Sequence, residues 1–248
     1  MNAFDSSILT FLNQFAHRWY LLDGAMYYAA TYNLVKGGVI AAALWWIWFD
    51  RHQEQPRKQE ILVSTLAASA VAILLARALA LSLPFRTRPL YNADLAFQHP
   101  FNVEHLDLEA WSSFPSDHVT LFFALAIGIF LCSRTMGVLA FLHAFFVITL
   151  PRVYLGIHAP TDVIVGALMG SLIAYLFTRP RAREVINRLP IQWMHKHPGS
   201  FYACFFLLSW QVATLFQAIR EILHSRSAIT QLLYVGGSYF QQVLRSMR

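Results

Sequence analysis

The sequence predicts an all-α fold, a polytopic helical bundle embedded in a membrane. Among its 248 residues, 57% are hydrophobic and only 13% are charged, and the mean hydropathy is +0.46. So few charges cannot cover a folded chain of this apolarity in water, and the same composition excludes a disordered chain. A membrane-spanning helix needs about 20 mostly apolar residues, and several such stretches occur. We therefore expect about six transmembrane helices and one N-terminal interfacial helix.

The interfacial helix is the first predicted element and covers residues 4–22. Its apolar residues recur at helical spacing and form one stripe, opposite a polar face made of Asp5, Asn13, Gln14 and Arg18. A helix with one apolar and one polar face is typical of a segment that lies along a membrane surface. The polar face, with Asp5 on it, is therefore expected to face water.

The predicted spans follow in order as residues 34–49, 61–83, 119–132, 138–150, 163–177 and 201–219. The stretch 61–83 is the most uniform, although Arg77 interrupts it. The third and fourth stretches are short, but their flanks extend each to about 18 residues, roughly 27 Å of helix. Residues 133–137 form the turn between these two spans. A last amphipathic segment, 229–244, contains two adjacent glycines and is expected on the surface.

The positions of Lys and Arg predict the orientation, because positively charged loops stay in the cytoplasm. With the polar motifs described below set aside, nine of these residues lie on the side of the loop 179–196 and five on the opposite side. We expect that loop in the cytoplasm and the polar motifs on the outer face of the membrane. The chain then divides into a core, 1–178, and an addition, 179–248. The addition comprises a basic cytoplasmic loop, one further span and an amphipathic tail.

Three polar motifs fall on one membrane face in this topology. They are Arg86-Thr87-Arg88-Pro89, Phe114-Pro115-Ser116-Asp117-His118, and the segment 151–162 with Arg152, His158 and Asp162. Charged side chains are costly within a bilayer and usually have a function there. Their convergence from three separate loops therefore predicts a functional site.

The arginines and the serine of these motifs suit a phosphate group. Guanidinium groups hold phosphate oxygens bidentately, so Arg88 and Arg152 are the expected clamp. Ser116 begins a helix, where its hydroxyl and the unpaired backbone N–H groups favour an anion.

The histidines suit attack on phosphorus. His158 and Asp162 stand four residues apart, so in a helical turn the carboxylate accepts one imidazole N–H and leaves the other nitrogen as a nucleophile. His118 is then expected to protonate the leaving oxygen. The two histidines take opposite roles.

The spacing Arg152-x5-His158-x3-Asp162, preceded by a Pro-Ser-x-His block and an Arg-Pro block, resembles the type 2 phosphatidic acid phosphatase (PAP2) superfamily of integral membrane phosphatases. The resemblance covers roughly residues 34–175 and identifies 1–178 as a PAP2-like core. It implies a reaction without metal or other cofactor, through a phosphohistidine on His158, with Asp162 orienting that ring and His118 as general acid. It also implies that the phosphate is bound by Arg88, Ser116 and Arg152.

The sequence departs from the family pattern at three positions. The lysine of the family's first motif is replaced by Leu81. Either Arg77 or Arg86 is expected to supply the missing positive charge to the phosphate. We favour Arg77, because an arginine within the membrane is costly unless it has a function. Asp117 stands where many members have glycine. The resulting Pro-Ser-Asp-His block resembles the branch of bacterial undecaprenyl diphosphate phosphatases. An acidic side chain beside an anionic substrate is unexpected unless it orients an Arg or a His. Pro151 replaces a serine at a tolerant position.

We expect a lipid phosphatase that removes the terminal phosphate of a polyprenyl diphosphate, namely undecaprenyl diphosphate, with the lipid phosphate and membrane lipids as its partners. The motifs contact the phosphate and not the lipid tail, so several alternatives stay open. They are phosphatase action on phosphatidic acid, phosphatidylglycerol phosphate or lipid A, a lipid phosphotransferase, and a non-catalytic lipid-binding protein. A b-type cytochrome would need a second histidine at the depth of His143 within a span.

The remaining ionisable residues are assigned structural roles. His143 is expected to form a hydrogen bond between helices, and Lys36 to anchor its span at the interface. The acidic residues and histidines of the loop 84–113 indicate a solvated lid rather than metal ligands. The arginines of 179–188 are expected to contact anionic lipids rather than nucleic acid. No nucleotide site is expected, because the sequence has no Gly-rich phosphate loop.

Overall fold

The computed structural model describes residues 1–50, 54–101 and 112–215, and all the regular structure within those ranges is helical. Three of the described helices are long and apolar enough to cross a membrane: Gln55–Ser82, Arg134–Tyr154 and Pro160–Phe177. Two shorter apolar helices are Leu34–Phe49 and Asp117–Cys132. The all-α helical prediction is therefore confirmed, whereas the count of six spans stays a prediction.

The N-terminal segment forms two helices, α1 (Ala3–Asn13) and α2 (Tyr20–Thr31), so the prediction of one helix over 4–22 is wrong. The break falls at His17, which has a left-handed φ of 59°. Its N–H donates to Oδ2 of Asp23 at 3.0 Å, and this buried carboxylate also receives the hydroxyl of Tyr154. Side-chain hydrogen bonds to the backbone thus outweigh the helical periodicity of the apolar residues.

Helix α3 (Val39–Phe49) is preceded by a π-helical turn, Leu34–Gly38. Helix α4 (Gln55–Ser82) follows and is 28 residues long, about 42 Å at 1.5 Å per residue. It starts six residues before the predicted span because Pro56 lies in its first turn, a position that suits proline.

A short connection joins the next two helices, as predicted, although it is only Ser133 rather than 133–137. Helix α5 (Asp117–Cys132) is followed by α6 (Arg134–His143), then by a π-helical segment, Ala144–Thr149, and α7 (Leu150–Tyr154) in one continuous rod. His143 lies 2.9 Å from the carbonyl oxygen of Val35, which confirms its expected role between helices.

Helices α4, α5 and α8 (Pro160–Phe177) form the centre of the bundle. Glycines permit their close approach, since a Cβ on Gly170 of α8 would lie 2.0 Å from the carbonyl oxygen of Thr120 on α5. Similarly, a Cβ on Gly128 of α5 would lie 2.0 Å from the Thr65 hydroxyl of α4. Small residues at helix crossings bring backbones together in membrane bundles, and here they set the relative positions of the helices that carry the polar motifs.

The basic segment predicted as a loop is helical. Helix α9 (Pro180–Lys196) starts at a proline, and the side-chain amide of Asn187 donates to the carbonyl of Glu60 at 3.0 Å and to the Ser64 hydroxyl at 2.7 Å. These bonds attach α9 to α4 and explain why the segment is ordered as a helix despite its charge.

Helix α10 (Pro198–Ala213) packs on α3, where the ring centroids of Trp48 and Phe205 lie 4.4 Å apart. The predicted span 201–219 is described only to residue 215, and the amphipathic segment 229–244 lies outside the described residues.

Candidate active site

Backbone hydrogen bonds bring the three polar motifs together. In each bond a backbone N–H donates to a backbone carbonyl oxygen: Ser113 to Arg86 (2.9 Å), Ser116 to Asp162 (3.2 Å) and Leu90 to Gly156 (2.9 Å). Each motif is therefore tied directly to another at the ends of α4, α5 and α8. The convergence predicted from topology is what the fold produces.

His158 is buried between α7 and α8, and its ring orientation is set by Ser113. Its Nδ1 lies 2.7 Å from the carbonyl oxygen of Ser113, which can only accept a hydrogen bond. The proton is therefore on Nδ1, and Nε2 carries a lone pair. The carboxylate of Asp162 is 3.7 Å from Nδ1, so the sequence-based assignment of Asp162 as the direct acceptor is corrected to the Ser113 carbonyl.

The surroundings of His158 favour its neutral form. Burial lowers the pKa of His158 below its ordinary value of 6.5, and the nearby guanidinium of Arg88 adds to this effect, against the opposing influence of Asp162 and Asp117. A neutral imidazole with a fixed proton on one nitrogen can act as a nucleophile through the other.

The two arginines that the sequence predicts to bind phosphate, Arg88 and Arg152, are both buried. Nη1 of Arg88 donates to the carbonyl of Ile157 at 2.8 Å and lies 3.5 Å from Nε2 of His158. Burial lowers the pKa of Arg88, and Asp117 and Asp162 counteract this shift. Arg152 is held by the carbonyl of Ile148 at 2.8 Å. Backbone carbonyls thus orient both guanidinium groups. Arg88 lies beside His158, whereas the charge of Arg152 acts on His118.

Ser116 is the residue before the first turn of α5, and its side chain is unusual for that position. It is 0% exposed, its hydroxyl makes no bond to the first turn, and that oxygen has no hydrogen-bond partner among the described residues. Buried hydroxyls are nearly always paired. A hydroxyl of this kind at a helix N-terminus fits an anion that the site binds.

Asp117 orients His118 and pairs with Arg77. One carboxylate oxygen, Oδ1, lies 3.0 Å from Nδ1 of His118 and accepts its backbone N–H at 2.8 Å. The other oxygen receives Nη2 of Arg77. The ring of His118 is therefore oriented with Nε2 turned away from the carboxylate. Asp117 therefore orients both a histidine and an arginine, which is the role expected of an acidic residue beside an anionic substrate.

The structure places Arg77 and Arg86 on carboxylates, whereas the sequence suggested phosphate contacts for both. Arg77 pairs with Asp117 as described, and Arg86 donates to Oδ1 of Asp162 and to Oδ2 of Asp5, both at 2.6 Å. Leu81, at the family's lysine position, is 82% exposed on the outside of α4. An arginine shared by two buried carboxylates is better suited to holding them than to binding substrate.

Three further residues belong to this site and were not assigned to it from sequence: Asp5, Lys36 and Ser113. Lys36 is buried on the π-helical turn, near enough for its charge to act on His118. Thr161 bridges Asp5 and Arg86 through its hydroxyl. No local pattern marks Asp5, Lys36 or Ser113, because the first two come from distant segments and Ser113 acts through its backbone carbonyl.

The loop residues that we assigned to a solvated surface include Asp94 and His99, and both are exposed. His105, Glu104, Asp107 and Glu109 of the predicted lid lie outside the described residues. Among the residues that are described, no group of three or more His, Cys, Asp or Glu side chains is placed to hold a metal ion.

Comparison with known proteins relates the chain to membrane phosphatases. The sequence model of the PAP2 superfamily matches residues 60–185. "Bacitracin transport permease protein BcrC" of Bacillus licheniformis is 30% identical over 188 residues, which cover 73% of this chain and 83% of that protein. "Putative undecaprenyl-diphosphatase YbjG" of Escherichia coli K12 is 31% identical over 162 residues, 63% of this chain and 74% of that protein.

An archaeal protein named "Undecaprenyl-diphosphatase", from Sulfolobus acidocaldarius, is 40% identical over 78 residues, 31% of this chain and 37% of that protein. No solved structure gives a significant match.

Proposed function

Since the chain belongs to the PAP2 superfamily, we propose that it is a lipid phosphatase that hydrolyses the terminal phosphate of undecaprenyl diphosphate through a phosphohistidine. The names of two relatives point to this substrate. The observation that carries the mechanism is the position of His158, whose Nδ1 proton is held by a backbone carbonyl while Nε2 faces Arg88.

The first step transfers the terminal phosphoryl group to His158. Nε2 forms a bond to the terminal phosphorus while the bond from that phosphorus to the bridging oxygen breaks. His118, protonated on Nε2, gives that proton to the bridging oxygen, and the polyprenyl monophosphate leaves. Arg88, Arg152 and Ser116 hold the equatorial oxygens, where preorganised donors stabilise the transition state most.

The second step returns the histidine. His118, now neutral at Nε2, removes a proton from a water molecule as its oxygen attacks the phosphorus, and the phosphorus–nitrogen bond to His158 breaks. Inorganic phosphate is released, and His118 is again protonated for the next cycle. The positive charge on the phosphorylated ring lies beside Asp162, whose carboxylate stabilises it.

The proposal includes a location. We place the enzyme in a bacterial inner membrane with six spans and the active site on the outer face. The excess of Lys and Arg on the side of α9 supports this orientation. A substrate with a long polyprenyl chain stays in the bilayer, so a catalyst for its headgroup has to work at the interface.

The experiment is phosphate release by the full chain purified in detergent, with EDTA present. Undecaprenyl diphosphate is compared with phosphatidic acid, phosphatidylglycerol phosphate and lipid A, using His158→Ala as the inactive variant and His99→Ala as a matched control, because His99 is an exposed loop histidine. We expect phosphate release to be fastest from undecaprenyl diphosphate. His158→Ala should abolish this release, and His99→Ala should leave its rate unchanged.

Other outcomes separate the alternatives. Preference for a phospholipid keeps the mechanism and overturns the substrate. Transfer of labelled phosphate to an added lipid, with little free phosphate, indicates a phosphotransferase. Release that needs a metal ion overturns the phosphohistidine route, as does failure to trap an acid-labile, base-stable phosphoenzyme in the wild type. Lipid binding without any turnover leaves the non-catalytic reading.

A further inference from the structure

Asp5 of helix α1 is the first member of a chain of charged groups that ends at His158. The side chain is 0% exposed, although its position on the polar face suggested contact with water. Its carboxylate accepts three hydrogen bonds, from Nη2 of Arg86 at 2.6 Å and from the backbone N–H and the hydroxyl of Thr161, both at 2.8 Å. A guanidinium and two further donors fix the position of this carboxylate through charge-assisted hydrogen bonds.

Arg86 connects Asp5 to the site. Its Nη1 donates to Oδ1 of Asp162 at 2.6 Å and to the Thr161 hydroxyl at 2.8 Å. The other oxygen of Asp162 accepts the N–H of Ala159 at 2.8 Å and lies 3.7 Å from Nδ1 of His158. One arginine is therefore shared by two buried carboxylates, of which only Asp162 is close to the reacting ring.

This arrangement sets the charge that His158 experiences. If Arg86 were paired with Asp162 alone, its positive charge would cancel most of the field of that carboxylate at the imidazole. With Asp5 on its other side, Arg86 is balanced, and the triad of two carboxylates and one guanidinium keeps a net negative charge. The triad is largely buried, so its effect on the ring is stronger than it would be in water.

We propose that Asp5 is a positioning residue of the active site, which acts through Arg86 and Asp162 to stabilise the positive charge that develops on His158 as Nε2 bonds to phosphorus. The inference rests on the proposed function for its catalytic meaning. It also makes α1, which lies outside the residues 60–185 matched by the family, a structural part of the catalytic centre.

Besides Asp162, the charged groups that act on His158 are Arg88 and Asp117. The carbonyl oxygen of Ser113 is the partner of Nδ1. Arg88 and Asp117 belong to other segments, and the described hydrogen bonds of the Asp5 carboxylate come from Arg86 and Thr161. A change in the properties of His158 after substitution of Asp5 is therefore transmitted through Arg86 and Asp162.

The test compares Asp5→Asn with two variants of the same helix. Asp5→Asn removes the charge and keeps the size of the side chain. Leu9→Ala shortens a side chain that is 1% exposed and loosens the docking of α1 without changing charge. Ser7→Ala alters an exposed residue and is the neutral control.

The kinetic readout is the pH dependence of undecaprenyl diphosphate hydrolysis. For Asp5→Asn we expect kcat to fall about ten-fold with KM changed less than about two-fold, and the acid limb of kcat/KM to move to lower pH by about half a unit or more. Leu9→Ala is expected to lower thermal stability and leave the acid limb unchanged. Equal pH profiles for Asp5→Asn and the wild type would overturn the proposal, as would an equal shift for Leu9→Ala.

A second measurement does not need turnover. Diethyl pyrocarbonate reacts with neutral imidazole, so its rate of reaction with His158 as a function of pH, followed by peptide mass spectrometry, gives the titration of that ring. We expect a lower midpoint in Asp5→Asn than in the wild type. If the wild type hydrolyses no lipid phosphate, the proposed function fails, and this midpoint still decides whether Asp5 acts on His158.

A double variant guards against misfolding of Asp5→Asn. Asp5→Asn with Arg86→Gln removes one charge of each sign and keeps side chains that can form hydrogen bonds. We expect its midpoint to lie above that of Asp5→Asn, because Asp162 is no longer neutralised by a guanidinium. A midpoint equal to or below that of Asp5→Asn refutes the electrostatic route.

Discussion

The contact between α5 and α8 at Gly170 is expected to control both stability and activity. A Cβ at this position would lie 2.0 Å from the carbonyl oxygen of Thr120, whereas ordinary van der Waals contact begins at 3.4 Å. Gly170→Ala therefore has to move the two backbones apart by about 1.4 Å, and the atoms in the way are backbone that cannot rotate aside. Overpacking of this kind costs about 1–3 kcal/mol, which corresponds to a fall in Tm of about 2–12 °C for a chain of this size.

The same displacement reaches the active site, because α5 begins with the serine–histidine motif and α8 carries Asp162. The hydrogen bond from the N–H of Ser116 to the oxygen of Asp162, now 3.2 Å, connects the two helix ends. A misplacement of about 1 Å in catalytic groups can lower the rate by about 100-fold. We expect kcat of Gly170→Ala to fall by about this factor.

The assay is thermal unfolding in detergent together with phosphate release. Gly24→Ala is the matched control, since a Cβ at Gly24 meets nothing within 4 Å and alanine favours a helix more than glycine does. It should keep or raise Tm and leave kcat unchanged. Wild-type Tm and kcat in Gly170→Ala would refute the reasoning that this close approach aligns the site.

Three further predictions concern the site itself. Because burial lowers the pKa of His158 below 6.5, the ring stays neutral as pH falls through 6.5. The acid limb of kcat/KM is therefore expected below pH 6.5, and an acid limb at or above pH 6.5 would contradict the assignment of His158 as the nucleophile. Ser116→Ala should lower kcat/KM about 10- to 100-fold without lowering Tm, since its hydroxyl has no partner among the described residues; a large loss of Tm would argue for a structural role. Asp117→Asn should lower kcat about 100-fold and should also lower Tm, because His118 and Arg77 both lose the carboxylate that they contact. Unchanged kinetics would show that His118 is not the general acid.

Much of the site could be predicted from sequence because its motifs are local. The backbone of one turn brings His158 and Asp162 near each other, and the serine–aspartate–histidine block begins a helix wherever that helix is packed. The apolar composition similarly required helices, and the long apolar stretches at α4, α6–α7 and α8 were found where predicted. Errors occurred where polar side chains compete with apolar periodicity, as at His17 and in α9.

Partners across the bundle could not be predicted, since they depend on packing between segments far apart in the chain. Arg86 and Arg77 carry the same charge and both seemed available to a phosphate, yet each lies against carboxylates that packing brings within reach. The acceptor for Nδ1 of His158 is a backbone carbonyl, and every residue has one, so no residue type marks it.

The sequence by itself determined the helical class, the membrane setting, the three polar motifs and the family. Only the tertiary structure decided which arginine contacts which carboxylate, which atom fixes the histidine tautomer, and that Asp5 belongs to the site. The physical reason is that composition and spacing act along one segment, whereas a buried charge is paired by whatever the close approach of several helices places beside it. At Gly170 and Thr120 that approach depends on the absence of a single methyl group.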